Sequence, residues 1–314
     1  MKISELAAYH ENIAGMKLQD SLLAVRKEMD PVIHTVSSRT PHLPQILYSL
    51  TQHRDRVLSE MAAFDQDIDL VLTHVLEQIK SQEPSYLTRS YQLYEDGMRG
   101  DSVEHVLNRR FSITNHNRAY IQSRVQSHST WQYPGMIIRP GLEDWIDYMV
   151  ACDPLYLVDT KQELFAPARE KFNAVYQNRL RYYAIKENVD QPMMSVLPDG
   201  QFGFVLAYNF FHYKPLEIMK GYLEEIYQKL RPGGILCMTF NNCDRRGAVE
   251  LAERMYTCYT PGRYVLGTCD TVGFTIEQNY VLDAANNWVE LRRPGEMPGL
   301  RGGQTLAKIV AKSK

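Results

Sequence analysis

Several motifs that would assign a function directly are missing from the sequence. The cysteines form no CxxC pair and have no recurring spacing, which indicates reduced thiols rather than a disulfide framework. The nine histidines include no HExxH motif and show no partnering with the cysteines, so no metal site is predicted. The five cysteines are Cys152, Cys237, Cys243, Cys258 and Cys269.

Long apolar runs and a concentration of basic residues are also missing. No stretch approaches the ~18 consecutive apolar residues that a membrane helix needs. Glu5 and Glu11 stand where a secretory signal would have its apolar run. The net charge is −2, and residues 1–130 carry 14 basic against 16 acidic residues, so nucleic-acid binding is not indicated. We therefore expect a cytoplasmic protein without membrane association.

The residues that are present suit a folded protein with two parts. The hydrophobic share of 44% and the charged share of 23% are ordinary for a globular chain. A length of 314 residues accommodates one large α/β domain and a smaller region. Near Trp131 the pattern changes from helical periodicity to short apolar runs. We therefore predict a helical N-terminal region, residues 1–125, and an α/β domain, residues 126–314.

The N-terminal region contains the clearest periodic signal. Residues 1–30 are predicted to be helical, followed by a turn-rich break from Asp30–Pro31 to Pro41. A long helix of about 35–38 residues, near 43–80, follows because apolar residues recur there at alternating steps of three and four. The stripe is Leu43, Leu47, Leu50, Val57, Met61, Phe64, Ile68, Val71 and Val75. Two alternatives remain open: a hairpin within the chain, or a coiled coil with another copy or a partner protein.

After Trp131, short apolar runs alternate with amphipathic segments of helical length, which is typical of a sheet with crossover helices. Helices are predicted near 142–151, 164–178, 214–230 and 246–258. The predicted strands are Gly135–Ile138, Leu155–Val158, Arg181–Ile185, Gly203–Tyr208, Ile235–Phe240, Thr275–Tyr280 and Thr305–Val310. The last two strands lack a helix between them. The order therefore predicts seven strands, mostly parallel, with an antiparallel hairpin at the end.

One stretch, residues 197–242, has LPDG before a predicted strand and LRPGG between a predicted helix and the next strand. This order resembles the central part of class I S-adenosylmethionine-dependent methyltransferases, and GFTIEQNYV with TLAKIVAK resembles that family's closing hairpin. The resemblance extends from about Gln132 to Lys314. It implies a seven-stranded Rossmann-like methyltransferase fold with S-adenosylmethionine as cofactor.

The family's cofactor loop, usually Gly-x-Gly-x-Gly, corresponds here to residues 135–145. Gly141 matches the middle glycine and follows Pro140, but Arg139 and Glu143 stand where the outer glycines are expected. A side chain at a turn that needs close backbone approach can block the pocket. Arg139 could instead bind the carboxylate of the cofactor. Both interpretations of Arg139 stay open.

Further cofactor contacts follow from the resemblance at the ends of the next two strands. Asp159, 18 residues after Gly141, matches the acid that accepts hydrogen bonds from the ribose hydroxyls, and Thr160 follows it. Glu187 and Asn188, with Asp190 as a further candidate, stand where the family places a group near the adenine amino group.

The end of the fourth predicted strand faces the substrate side in this topology, because ligands gather at the carboxyl ends of parallel strands. Asn209 and His212 lie there. His212 is a candidate general base because its unperturbed pKa is about 6.5, and a structural histidine is the alternative. Both residues are candidates for catalysis, and Asn209 also for cofactor binding.

Two functions remain open from the sequence. The first is an S-adenosylmethionine-dependent methyltransferase of unknown substrate. The second is a catalytically inactive methyltransferase-like scaffold, of a kind also found in viral or phage-encoded proteins, that assembles through its long helix. An NAD-binding oxidoreductase fits least well because the chain lacks GxGxxG.

Overall fold

The structure, a computed structural model, describes residues 2–39, 44–97, 103–104, 113–141, 145–187 and 193–296. The chain forms two compact units, Met1–Pro84 and Ser85–Lys314. Leu43, where the predicted long helix begins, lies outside the described residues, as do Glu143, Asn188 and Asp190. The predicted strand Thr305–Val310 lies outside them as well.

The first unit is helical, with α1 at Ile3–Ala14, α2 at Gln19–Arg39 and the start of α3, which spans Pro44–Glu95. α2 and α3 form an antiparallel pair. Arg54 contacts Asp30 at 2.8 Å, and near the other end of α2 the Leu18 amide donates to Asp65 Oδ1 at 2.8 Å. The predicted stripe therefore packs in part within the chain, since Ile68 is buried.

Two predictions for these helices were wrong. The break predicted at Asp30–Pro31 does not occur, because α2 continues through Pro31 to Arg39. α3 also extends beyond residue 80 and includes Pro84. A proline removes one backbone donor from a helix. In both helices the hydrogen bonds of the remaining turns outweigh that local loss.

The second unit contains a seven-stranded sheet in the order β3-β2-β1-β4-β5-β7-β6. Neighbours among β1 to β5 are parallel, whereas β7 is antiparallel to β5 and β6. The strands are β1 Gly135–Ile138, β2 Leu155–Asp159, β3 Leu180–Ala184, β4 Phe202–Ala207, β5 Leu230–Asn241, β6 Thr275–Val281 and β7 Asn286–Arg292. The predicted fold class is confirmed. β7 was not predicted as a strand.

The helices of this unit are α4 Asn115–His128, α5 Trp145–Tyr148, α6 Ala166–Lys171, α7 Ala174–Gln177, α8 Leu216–Lys229, α9 Arg246–Glu253 and α10 Gly262–Val272. Every residue of β1 and β4 is buried, as expected for parallel strands that are covered on both faces. Successive residues of a strand point to opposite faces. Accordingly, Val205 lies in one apolar cluster and Phe204 in the other.

The LRPGG segment joins α8 to β5 as the sequence predicts, but as an irregular start of the strand itself. Phe202 pairs with Leu230, and Phe204 pairs with Ile235, so β5 carries extra residues between these two partners. Gly233 has φ 78°, and a Cβ on Gly234 would lie 2.9 Å from the carbonyl oxygen of Phe202. The two glycines are therefore required for the chain to enter the sheet at this point.

None of the helices in the described part of the chain is both long and apolar enough to cross a membrane.

Candidate functional site

The order of the strands locates the candidate site. β1 and β4 lie side by side, and the chain extends away from them in opposite directions, through β2 on one side and β5 on the other. In open α/β sheets, ligands bind at such a switch point, outside the carboxyl ends of the strands. Arg139 follows β1, Asp159 ends β2 and Asn209 follows β4. The sequence-predicted candidates therefore lie at the edge of the sheet where this rule places a ligand.

The backbone is strained on both sides of the switch point. Arg139 has φ 58° and Asn209 has φ 54°, a left-handed conformation that costs a non-glycine residue roughly 1–3 kcal/mol. Gly141, in the same loop as Arg139, has φ 52°. The loop after β1 thus keeps a conformation that suits glycine, although an arginine occupies the first of these positions. Such strain often marks functional sites.

Arg139 and Asp159 form a buried ion pair. Arg139 is 7% exposed and Asp159 is fully buried, and Arg139 Nη2 lies 3.4 Å from Asp159 Oδ1. The guanidinium carbon is 5.1 Å from the centroid of the Phe210 ring. Oδ1 also accepts a hydrogen bond from the Thr160 amide at 2.7 Å.

The second oxygen of Asp159 differs from the first. Oδ2 is buried, and no described residue donates a hydrogen bond to it. Burial raises the pKa of Asp159, and the nearby positive charge of Arg139 opposes that rise. A buried acceptor without a donor is costly. Oδ2 therefore has the capacity to accept a hydrogen bond from a ligand.

A second ion pair, between a buried lysine and a partly buried glutamate, follows β3. Glu187 lies 2.6 Å from the Nζ of Lys214, which is fully buried, and accepts hydrogen bonds from Tyr222 at 2.6 Å and Tyr94 at 2.7 Å. Burial, followed by the charge of Glu187, raises the pKa of Tyr222 well above its ordinary value, so the phenol remains a donor. The Nζ of Lys214 is also 5.2 Å from the centroid of the Phe210 ring. Phe210 therefore contacts both buried cations, Arg139 and Lys214.

Asn209 and His212 make other contacts. The Asn209 amide donates to Thr239 Oγ1 at 2.8 Å. His212 is fully buried, and its Nε2 lies 2.8 Å from Asn286 Oδ1 at the start of β7. The structure thus connects Arg139, Asp159 and Thr160 to one another, and places the imidazole of His212 against β7.

Sequence reasoning identified Glu187 but missed its partners. Lys214, Tyr222 and Tyr94 belong to segments that no motif links to the end of β3, and they meet there only in the folded chain. Phe210 was also missed, although it immediately follows Asn209. A single sequence contains no signal for such a network.

A further cluster lies outside this site. His128, Cys237 and Glu290 have potential metal-ligand atoms within 4.8 Å of one another. Both Arg124 and His128 already contact the Glu290 carboxylate. The positive charge of Arg124 opposes the binding of a cation, so we interpret the cluster as a structural network.

A family model described as a methyltransferase domain matches residues 145–238. No curated protein sequence matches the chain.

Solved structures that match part of this chain include N-methyltransferase NodS from Bradyrhizobium japonicum WM9 in complex with S-adenosyl-L-homocysteine. It is 14% identical, with a TM-score of 0.43 over 57% of this chain and 87% of that chain. An S-adenosylmethionine-dependent methyltransferase from Mesorhizobium loti is 13% identical, with a TM-score of 0.45 over 56% and 98% of the two chains. The [4+2]-cyclase SpnF is 13% identical, with a TM-score of 0.45 over 57% and 81%.

One feature at the switch point suits an adenosine-containing cofactor. Asp159 ends the second strand with a buried carboxylate oxygen that lacks a donor among the described residues, and a ribose hydroxyl is a suitable donor. The family match lies within the unit that contains this carboxylate. The family match, together with the strand order, supports assignment of the α/β unit to the class I S-adenosylmethionine-dependent methyltransferase superfamily.

Proposed function

We propose that the protein binds S-adenosylmethionine at the carboxyl ends of β1 and β2 and methylates an acceptor at the end of β4. The observation that carries this proposal is Asp159 Oδ2, a buried acceptor without a donor among the described residues. A ribose hydroxyl that donates to this atom would satisfy it. The hydrogen bond from the Thr160 amide to Oδ1 holds the carboxylate in place.

Other residues have roles in the same proposal. Arg139, Pro140 and Gly141 form the loop next to the amino-acid part of the cofactor, and Glu187 follows the strand that adjoins β2. Asn188 remains a candidate from the sequence. When bound, the cofactor supplies a methyl group on a positively charged sulfur, and transfer requires mainly that an acceptor be held in line with it.

The acceptor would approach the turn after β4, where Asn209 lies. His212 is in the same turn, but its imidazole is fully buried against Asn286. It could act as a base only if this turn opened. The proposal therefore requires positioning at Asn209 and does not require proton transfer by His212.

The alternative is an inactive methyltransferase-like scaffold. The observation that favours it is the buried Arg139 side chain, which already pairs with the carboxylate that the ribose would use. Assembly would then depend on α3. Phe64 and Val71, two members of the apolar stripe, are 44% and 38% exposed. We propose that this exposed part of the stripe pairs with a second copy of the chain.

Thermal unfolding with and without S-adenosylmethionine tests the enzyme proposal, because a ligand that binds only the native state raises Tm. The wild type and an Asp270→Asn control, which changes an exposed acid on α10, should show a ligand-dependent increase. Asp159→Asn should lose it. An equal increase in all three proteins would place the ligand elsewhere, and no increase in any of them would favour the scaffold.

A further inference from the structure

The C-terminal end of α3 lies against the rest of the α/β unit along one face of the helix. Tyr86, Ser90 and Tyr94 are four residues apart and therefore share that face. The Tyr86 hydroxyl donates to Glu253 at 3.1 Å. Ser90 is buried, and its Oγ accepts a hydrogen bond from the Tyr259 amide at 2.8 Å. These two contacts hold the helix in place before its last turn.

Tyr94 makes the third contact of this face, one residue before α3 ends at Glu95. Its hydroxyl donates to Glu187 Oε2 at 2.7 Å, and its half-buried ring lies 5.3 Å from the Nζ of Lys214. The terminal turn of a helix opens more readily than the interior. The helix can therefore release Tyr94 while it keeps the two earlier contacts.

The carboxylate of Glu187 is fully used while Tyr94 is in place. Oε1 accepts hydrogen bonds from Lys214 and Tyr222, both at 2.6 Å. Oε2 accepts from Lys214 at 2.8 Å and from Tyr94 at 2.7 Å. A carboxylate has about four lone-pair sites, so another donor can bind only if one of these leaves. Lys214 and Tyr222 are fully buried, and withdrawing a buried donor from its acceptor is costly. Tyr94 is therefore the donor that can leave.

Glu187 is close to the carboxylate that we propose for ribose binding. The Ile185 amide donates to the main-chain oxygen of Asp159 at 2.9 Å, and Glu187 follows two residues later. Burial raises the pKa of Asp159, and the charge of Lys214, the partner of Glu187, is among those that oppose the rise. For a ligand that donates to Asp159 Oδ2, the neighbouring anionic acceptor is thus one that Tyr94 already occupies.

We propose that the last turn of α3, residues 92–95, is a strap that Tyr94 holds closed on Glu187, and that a bound adenosine ligand releases it by donating to the same carboxylate. The inference rests on the proposed function. It makes the closed strap a competitor of the ligand. Because such coupling is reciprocal, the strap weakens ligand binding and the ligand opens the strap.

Isothermal titration with S-adenosylhomocysteine, combined with hydrogen exchange, tests the inference. Tyr94→Phe keeps the ring and removes only the hydroxyl. The ligand then no longer displaces a hydrogen bond to a charged group, so it should bind about tenfold more tightly than to the wild type. In the wild type, the ligand should speed exchange of the Asp96 and Gly97 amides, which donate to the carbonyls of Gln92 and Tyr94. Tyr86→Phe, the matched control on the same face, should bind like the wild type.

The inference requires both the tighter binding and the faster exchange, in proteins that circular dichroism shows to be folded. Unchanged or weaker binding by Tyr94→Phe would overturn it, as would an equal gain in Tyr86→Phe. Exchange that the ligand slows or leaves unchanged would also overturn it, because the turn would then stay closed in the complex. In these cases the proposed function stands. If neither S-adenosylhomocysteine nor S-adenosylmethionine binds the wild type or either variant, the proposed function fails and the inference fails with it.

Discussion

Glu290 on β7 allows the sharpest test of what holds the α/β unit together. It is fully buried and accepts hydrogen bonds from Arg124 Nε at 2.6 Å, from Trp288 at 2.9 Å and, with the ring protonated at Nε2, from His128 at 2.9 Å. Arg124 and His128 both lie on α4. The carboxylate therefore links α4 to β7 through hydrogen bonds. We predict that Glu290→Gln destabilises this unit severely.

The magnitude follows from the pKa. Burial by itself would raise the pKa of Glu290, but the hydrogen bonds from Arg124, His128 and Trp288 outweigh burial and lower it from 4.5 to about 2. That shift corresponds to about 3 kcal/mol of stability at pH 7. Removing one partner from a buried ion pair costs ~3–5 kcal/mol in general. We therefore expect Glu290→Gln to lose about 3 kcal/mol.

The lowered pKa of Glu290 also gives the direction in which stability changes with pH. A carboxyl whose pKa is lower in the folded state stabilises that state above its unfolded pKa, and the contribution is lost as the pH falls toward 2. The difference between the wild type and Glu290→Gln should therefore shrink by about 2 kcal/mol between pH 7 and pH 3.

Urea unfolding followed by tryptophan fluorescence measures the stability of the α/β unit. Its signal comes from this unit because Trp131, Trp145 and Trp288 all lie in it. Glu277→Gln is the matched control. Glu277 pairs with Arg292 at a site about one third exposed, so its loss should cost no more than ~1 kcal/mol. Equal losses in the two variants, or a loss in Glu290→Gln that does not change with pH, would refute the reasoning.

Three further predictions concern packing, thiol chemistry and assembly. Gly135→Ala should destabilise the α/β unit by roughly 1–3 kcal/mol, because the new Cβ would lie 2.6 Å from Cys152 Sγ; unfolding by urea measures this, and an unchanged midpoint would contradict it. All five cysteines are buried, and burial raises the pKa of Cys269 to about 12. The native protein should therefore not react with a thiol reagent at pH 8 until denaturant is added. Rapid labelling of the native protein would contradict the burial of the thiols. If the exposed part of the stripe pairs two copies, Phe64→Glu should convert a dimer to a monomer in light scattering; a wild type that is already monomeric would refute that proposal.

The sheet could be predicted from the sequence because most of its strands are short apolar runs between turn residues. β1 was predicted with its observed bounds, and LRPGG located the junction of α8 with β5. β7 was missed because its sequence, NNWVELR, mixes polar and apolar residues without a regular alternation, and its polar Glu290 is buried through partners on another element. The helix through Pro31 was missed because the proline was interpreted as the start of a turn, whereas α2 continues through it.

The candidate site could be predicted in part. Asp159 was identified through the resemblance, which places an acid at the end of the second strand, and β2 does end at Asp159; its role in binding stays a prediction. The contact of Arg139 with Asp159 could not be predicted, because the spacing in the chain does not determine whether a guanidinium points toward its neighbour. The same holds for Lys214 and Glu187, which are 27 residues apart in the chain.

The most direct test of the central claim is isothermal titration of the wild-type protein with S-adenosylmethionine. The account predicts one site per chain with a dissociation constant in the micromolar range, about −8 kcal/mol, and loss of that binding in Asp159→Ala. A folded wild type that gives no binding heat at any temperature tried, and retains no radiolabelled cofactor in equilibrium dialysis, would contradict the claim.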